Sequence, residues 1–238
     1  MTAQSNPAAA APQVAALPAR RRYRLGRRQA AIDATRQRIV EAAFDLHTTI
    51  GPGRTTIAAV AARAGVQRHT VYAHFADPAS LFEACTAHGI EAMAMPDPAR
   101  WPAKAAPDDR LERGLRAMVA WYRANGAQLE RLLDDDPAPS SGHDPGSPAA
   151  KPAAKPAAAP APDPFAARMA AIRAAVVEGW DVPSSRRVAF DAVVDHALAF
   201  STWQSLAAGG LRDAAIVRLL ASLVRGVADG SISTTDGR

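Results

Sequence analysis

From Thr35 onward the apolar residues of the chain fall into a helical rhythm. Ile39, Ala43, Leu46 and Ile50 recur at intervals that place them on one helical face. Gly51-Pro52-Gly53 ends that face abruptly. Thr55 or Thr56 can cap the next helix by accepting a hydrogen bond from a free backbone N–H, and that helix runs to about Ala64. It stops at Gly65, because glycine enters left-handed backbone geometry most easily. A third helix covers roughly Gln67 to Phe75. Asp77-Pro78 supplies a cap and a first-turn proline for a fourth, which continues through about Met93. After a proline-rich connection over 96–108, a helix from about Asp109 to Leu133 carries Leu111, Leu115, Met118, Trp121 and Tyr122 on its apolar side. Three more helical stretches follow at about 165–179, 184–208 and 212–228, with Gly209-Gly210 between the last two. Alanine, leucine and arginine dominate and strand-like alternation is almost missing, so the predicted fold class is all-α.

Two segments fall outside this rhythm. Residues 1–33 are first Ala/Pro-rich and then arginine-rich, and are expected to form a disordered arm. Residues 134–164 are a low-complexity Pro/Ala stretch with prolines too frequent for a packed core, and are expected to be a disordered insert. The near-repeat KPAA at 151 and 155 has two lysines and no aromatics, which suits a plain linker better than a second nucleic-acid contact. The expected organisation is therefore an arm over 1–33, a small domain over 34–95 and a larger helical domain over 96–238.

Charge sharpens this division. The formal net charge is +5. Residues 1–34 hold six arginines (Arg20, Arg21, Arg22, Arg24, Arg27, Arg28) against Asp33, while the remainder of the chain balances. Such a block is either a solubilising tail or a contact for nucleic acid or another acidic surface. With only Tyr23 and Leu25 nearby, it lacks the interleaved Trp and Phe that membrane insertion requires. No apolar run approaches the roughly 20 residues that span a bilayer, and the first residues do not read as a signal peptide. A single cysteine, Cys85, cannot form an internal disulfide and fits a reducing compartment. The expected location is the cytoplasm.

The stretch 55-TTIAAVAARAGVQRHTVYAHF-75 carries the candidate chemistry. Its second helix is too short to be stable alone and has to be held by neighbours. Val60, Ala61, Gly65, Val66 and Val71 have the spacing of a helix-turn-helix. Ala61 permits close approach, Gly65 makes the turn, and the three valines fill the angle between the helices. Gln67, Arg68, His69, Thr70 and Ala73 then point away from that angle. Polar groups so placed are what a recognition helix offers to base edges and phosphates in a major groove.

These residues resemble the DNA-binding domain of the TetR family of bacterial transcription regulators. The resemblance runs from Thr35 to about His88 and rests on 35-TRQRI-39, Gly51, 55-TTI-57, 61-AARAGV-66, 70-TVYAHF-75 and Leu81-Phe82. It implies that Thr56 touches a phosphate, that Gln67, Arg68, His69 and Thr70 lie at or near bases, and that Tyr72 and His74 bond phosphates, with Phe75 in the core. Three positions depart from the family pattern. Gln67 stands where a capping serine is usual, His69 where glycine is common, and Pro78 where the family carries a phosphate-binding lysine. Arg24, Arg27 and Arg28 of the arm are expected to supply the missing charge, since arginine arms can enter a narrow adjacent minor groove.

The resemblance further implies a homodimeric repressor on a palindromic duplex operator, released by a small-molecule effector in the C-terminal domain. The apolar helices at 184–208 and 212–228 suit a dimerisation surface or an intrachain core. Trp121, Tyr122, Met169, Trp180 and Trp203 are candidate pocket or core residues. An enzyme is disfavoured: no phosphate-cradling glycine loop or nucleophile motif is present, and Cys85 with His88 gives two ligands where a structural metal takes four. No cofactor is expected. The competing reading is a nonspecific architectural DNA-binding protein that uses its arginine arm.

Overall fold

The structure, a computed structural model, describes residues 19–102, 104–134 and 163–232. Every regular element among them is helical, so the fold is all-α. The helices are α1 (Ala19–Ile50), α2 (Ile57–Ala64), α3 (Arg68–His74), α4 (Pro78–Ala92), α5 (Pro107–Asp134), α6 (Pro164–Val177), α7 (Ser184–Ala197), α8 (Phe200–Ala208) and α9 (Asp213–Asp229). Single 3-10 turns lie at Pro52–Arg54 and Pro98–Arg100. The chain divides into two compact units, residues 1–38 and residues 39–238.

The first unit contains the beginning of α1. Residues 19–33, expected to lack regular structure, are helical, which corrects the sequence reading. No proline follows Pro18 in this stretch, and Ala, Arg and Gln are strong helix formers. Extending an existing helix also avoids the cost of nucleating a new one. Residues 26–34 are all exposed, so burial does not hold this segment. Local bonds assist it, with the Gln29 amide donating to Asp33 at 2.9 Å. Residues 1–18, and most of the expected insert (135–162), lie outside the described residues.

The second unit has two hydrophobic cores. The smaller gathers Ile39, Ala43, Val60, Ala61, Val71, Phe75, Leu81 and Cys85. The larger joins Ile90 and Met95 to Leu111, Leu115, Met118, Trp121 and Tyr122 of α5, Ile172 and Val176 of α6, Phe190 and Val194 of α7, and Ile216, Leu220 and Val224 of α9. Helix α4 therefore serves both cores, Leu81 and Cys85 in one and Ile90 in the other. A Cβ added at Gly114 would overlap Val176, so α5 and α6 pack closely because that position has no side chain. Ion pairs fasten the outside of the bundle. Arg225 of α9 reaches Asp108 at 2.6 Å and Glu112 at 2.8 Å on α5, and Arg173 of α6 reaches Asp191 at 2.8 Å on α7.

Two details differ from the sequence reading. The inner line of α1 runs through Ile39, Ala43 and His47, while Leu46 is half-buried and Ile50 exposed. His47 turns inward because Cys85 of α4 meets it at 3.3 Å and the Phe82 ring lies 5.7 Å away. The expected helix over 184–208 is two helices, broken at Leu198 and Ala199 with neither glycine nor proline at the break. The Tyr122 hydroxyl, buried in α5, donates to the Leu198 carbonyl at 2.5 Å. A tertiary bond to that carbonyl replaces one that a continuing helix would make. Helix α7 packs on α9, yet each also shows a large apolar side chain to solvent: Val188 is 83% exposed and Leu219 47%.

Candidate nucleic-acid interface

The corner that positions the interface is built by backbone geometry. Helix α2 begins at Thr56, whose Oγ1 accepts the Ala59 N–H at 3.1 Å. It ends at Gly65 with φ 67 and ψ 37, a left-handed conformation. The Val66 N–H donates to the Ala61 carbonyl at 2.9 Å, closing the helix end. A Cβ at Gly65 would touch nothing within 4 Å, so glycine is required there by its φ and not by crowding. Val60, Ala61 and Val71 fill the angle between α2 and α3, each almost fully buried, and Val66 packs against them. These are the positions that the sequence spacing assigns to the corner.

With Val71 as its inner anchor, α3 turns the opposite side outward. Helical rotation puts His69 and Ala73 at the crest, and both are exposed. Arg68 and Tyr72 flank the crest on one side, Thr70 and His74 on the other, all four half-buried. Gln67 precedes the helix, exposed, and its side chain makes no capping bond. The helix start is held by the Gln67 carbonyl, which accepts the Thr70 N–H at 2.9 Å, and by the packing of Val71. Thr56 is exposed, and its hydroxyl keeps a proton to donate while a lone pair accepts the cap bond. The cap bond therefore leaves the hydroxyl proton available to an outside acceptor. Ala73 joins this surface as a small apolar spot of the kind that fits a thymine methyl group.

The neighbourhood of the missing lysine is also visible. Pro78 opens α4, and Asp77 caps it through a reciprocal box: its carboxylate accepts the Ser80 N–H at 2.7 Å, and the Ser80 hydroxyl lies 3.5 Å from the Asp77 N–H. That box fixes the start of α4 without supplying a positive charge. Of the arm residues, Arg27 and Arg28 are exposed; Arg24 lies within α1, and its side chain is outside the described residues.

Beneath the interface, His47 and Cys85 share one buried hydrogen bond at 3.3 Å. Burial lowers the His47 pKa to about 4 and pushes the Cys85 thiol up to about 12, so both are uncharged at neutral pH. This pair is not legible in the sequence, where the two residues lie far apart and Cys85 invites comparison with His88. His88 instead meets Phe44 edge to face at 5.3 Å. Among the described residues no group of three or more His, Cys, Asp and Glu could hold a metal ion.

The candidate pocket residues do not form one group. Tyr122 and Trp203 are buried and packed with Phe200 in an aromatic cluster, ring centroids 5.4 to 5.9 Å apart. Trp121 is buried beside Tyr122 and donates its indole N–H to the Met93 carbonyl at 2.8 Å. Trp180 stacks near Phe190 at 5.6 Å, and Met169 lies half-buried against the larger core. Two open hollows occur elsewhere: one of about 390 Å³ between α4 and α6, the other of about 320 Å³ between the end of α5 and α8.

A short helix presenting polar side chains outward from a glycine corner defines a helix-turn-helix nucleic-acid-binding domain. Residues 39–85 match the model of the family described as bacterial regulatory proteins, tetR family. Among solved structures, the chain is similar to a tetR-family transcriptional regulator from Streptomyces coelicolor, at 21% identity and TM-score 0.50, over 83% of this chain and 80% of that one. It is also similar to a TetR transcriptional regulator from Rhodococcus sp. RHA1 at 20% identity and TM-score 0.45, over 80% of this chain and 95% of that one. No curated protein matches. The helix-turn-helix segment is of the TetR type, and the chain has the fold of a TetR-family transcriptional regulator.

Proposed function

We propose that this protein is a homodimeric, sequence-specific DNA-binding regulator that represses transcription until a small molecule releases it. The observation that carries the reading is the outward face of α3. His69 and Ala73 are exposed at its crest, Arg68, Thr70, Tyr72 and His74 flank them, and Thr56 offers a hydroxyl alongside. Base-edge contacts from the crest give sequence preference, and phosphate contacts from Thr56, Tyr72 and His74 fix register. Two copies related by a two-fold axis read a palindromic operator with half-sites about one helical turn apart or a multiple of that. The exposed Val188 and Leu219 on the packed pair α7 and α9 support a four-helix pairing between copies.

Release by an effector is supported by two indole N–H groups. Those of Trp180 and Trp203 are buried and have no hydrogen-bond partner among the described residues. An unpaired buried donor costs about 1–3 kcal/mol, and a ligand acceptor would remove that cost. Such a ligand shifts the DNA affinity only by as much as it prefers the released conformation.

Selection of bound duplexes from a random pool at moderate salt tests the reading. An enriched inverted repeat is the expected result. Binding without enrichment would favour a nonspecific architectural role instead. A compound screen for release of the selected duplex then tests the effector, with Trp203→Phe expected to weaken the response to any compound that takes the indole proton.

A further inference from the structure

The helical state of residues 19–38 changes what the arginine-rich segment can do. An α-helix is roughly 10–12 Å across with its side chains, and the minor groove of B-DNA is about 6 Å wide. A helical arm therefore does not thread the minor groove as an extended chain does. Helical register places Arg20, Arg21, Arg24, Arg27 and Arg28 within one arc of about 120°, at about 100° per residue, and leaves Arg22 and Arg36 outside it. Arg38 falls in the same arc, while Gln29 and Asp33 occupy the opposite side and are joined to each other. Arg27, Arg28 and Arg38 are exposed.

We infer that residues 19–38 form a helical arginine rail that lies on the sugar-phosphate backbone of duplex DNA, adding affinity without sequence preference. The inference rests on DNA being the partner of α3. A rail of 20 residues is about 30 Å long, and duplex DNA presents one phosphate charge per roughly 1.7 Å of axis, so several arginines can be matched at once. An anionic membrane is the poorer partner. The side of the helix opposite that arc carries Arg22, Gly26, Gln29, Asp33 and Arg36 in place of the Trp, Phe and Leu stripe that an interfacial helix buries.

Three full-length variants test the rail on a mixed-sequence duplex of about 40 base pairs, four helical turns. Replacing Arg20, Arg21, Arg24, Arg27 and Arg28 by Gln keeps helix propensity and removes the charge. The slope of log K against log salt is expected to flatten by at least ~2, at ~0.9 for each phosphate that is no longer neutralised. The combination R24A/R28Q/Q29R/A30R keeps composition and net charge but spreads the arginines around the helix. It keeps Arg20, Arg21 and Arg27 in the arc, so it is expected to lose roughly two-fifths of the slope that the five arginines supply. An unchanged slope in the five-Gln protein would overturn the rail while leaving DNA binding by α3 intact. A scrambled protein equal to the wild type would show that charge acts without the helical face, which also overturns it. Wild-type protein that fails to bind the duplex at all would sink both the rail and the DNA-binding reading. Arginine-dependent binding to vesicles of phosphatidylserine and phosphatidylcholine, with DNA affinity unmoved, would transfer the segment to a membrane.

Gly26→Ala gives an independent arm. No heavy atom lies within 4 Å of an added Cβ, and alanine favours the helix. The expected result is greater helix content by circular dichroism and a roughly two- to five-fold gain in DNA affinity. A loss of affinity would mean that the segment binds in a non-helical form.

Discussion

His69 and Tyr72 sit one turn apart on α3 but differ in where they reach. His69 occupies the crest and is exposed, whereas Tyr72 is a half-buried flank residue. On the proposed reading the crest residue reads base edges, and its removal is expected to cost about 1–3 kcal/mol on operators carrying its preferred base and little on the others. His69→Ala should therefore flatten preference at one position per half-site, as read by affinities for a panel of single-base operator variants. Tyr72→Phe should weaken every operator by a similar factor, because a phosphate contact carries no base information. A loss confined to particular sequences would move Tyr72 to the bases. His47 gives a second prediction at this scale. Burial holds its pKa at about 4 against an ordinary 6.5, so the unfolded chain binds more protons between those values. Stability is then complete above about pH 6.5 and falls as pH drops toward 4, by about 3 kcal/mol over the window. Urea midpoints should trace that decline, and His47→Gln should flatten it. The corner residues Val60, Ala61, Gly65 and Val71 are legible from spacing alone, because a tight turn fixes who faces inward. His47 is not: a periodic pattern marks apolar positions, and the polar residue buried one step away is chosen by a partner on another helix.

At the scale of elements, local chemistry decides some boundaries and distant bonds decide others. Gly65 terminates α2 through its own left-handed backbone, so Gly65→Ala is expected to cost about 1–2 kcal/mol, the penalty for an L-residue there. Because open space surrounds that Cβ, the loss should appear as a lower melting temperature with the fold retained. A wild-type melting temperature would mean that the corner relaxes to negative φ without cost. The ends of α2, α3 and α4 can be read from Thr56, Gly65 and the Asp77-Pro78 pair because their signals lie within the terminal turns. The start of α1 is harder to read, since its dense charge points to a solvated tail while its residue propensities point to a helix. The break between α7 and α8 has no local mark, since the hydroxyl that stabilises it comes from Tyr122 in α5.

At the scale of the whole molecule, the all-α plan and the helix-turn-helix are legible, while the arrangement of the aromatic residues is not. Trp121, Tyr122 and Trp203 converge from α5 and α8, whereas Trp180 lies with Phe190. No sequence interval encodes that separation. No helix among the described residues is long and apolar enough to cross a membrane. The proposed pairing of copies through α7 and α9 makes a direct prediction. Val188→Glu with Leu219→Glu should leave the circular dichroism spectrum unchanged, because both side chains are exposed. Sedimentation should shift from dimer to monomer, and operator affinity should fall by tenfold or more, on the order of the second half-site's contribution. A variant that still sediments as a dimer would place the interface on another face.

The continuity of α4 has a mechanical consequence. Its 15 residues make a rod about 22 Å long, seated at one end beside the turn bearing α3 and at the other among the aromatic and aliphatic residues of the larger bundle. A stiff rod pivoting by about 5° sweeps its far tip through roughly 2 Å. A repacking around Ile90 that tilted α4 as a rod would displace Leu81, because the helix runs unbroken between the two residues.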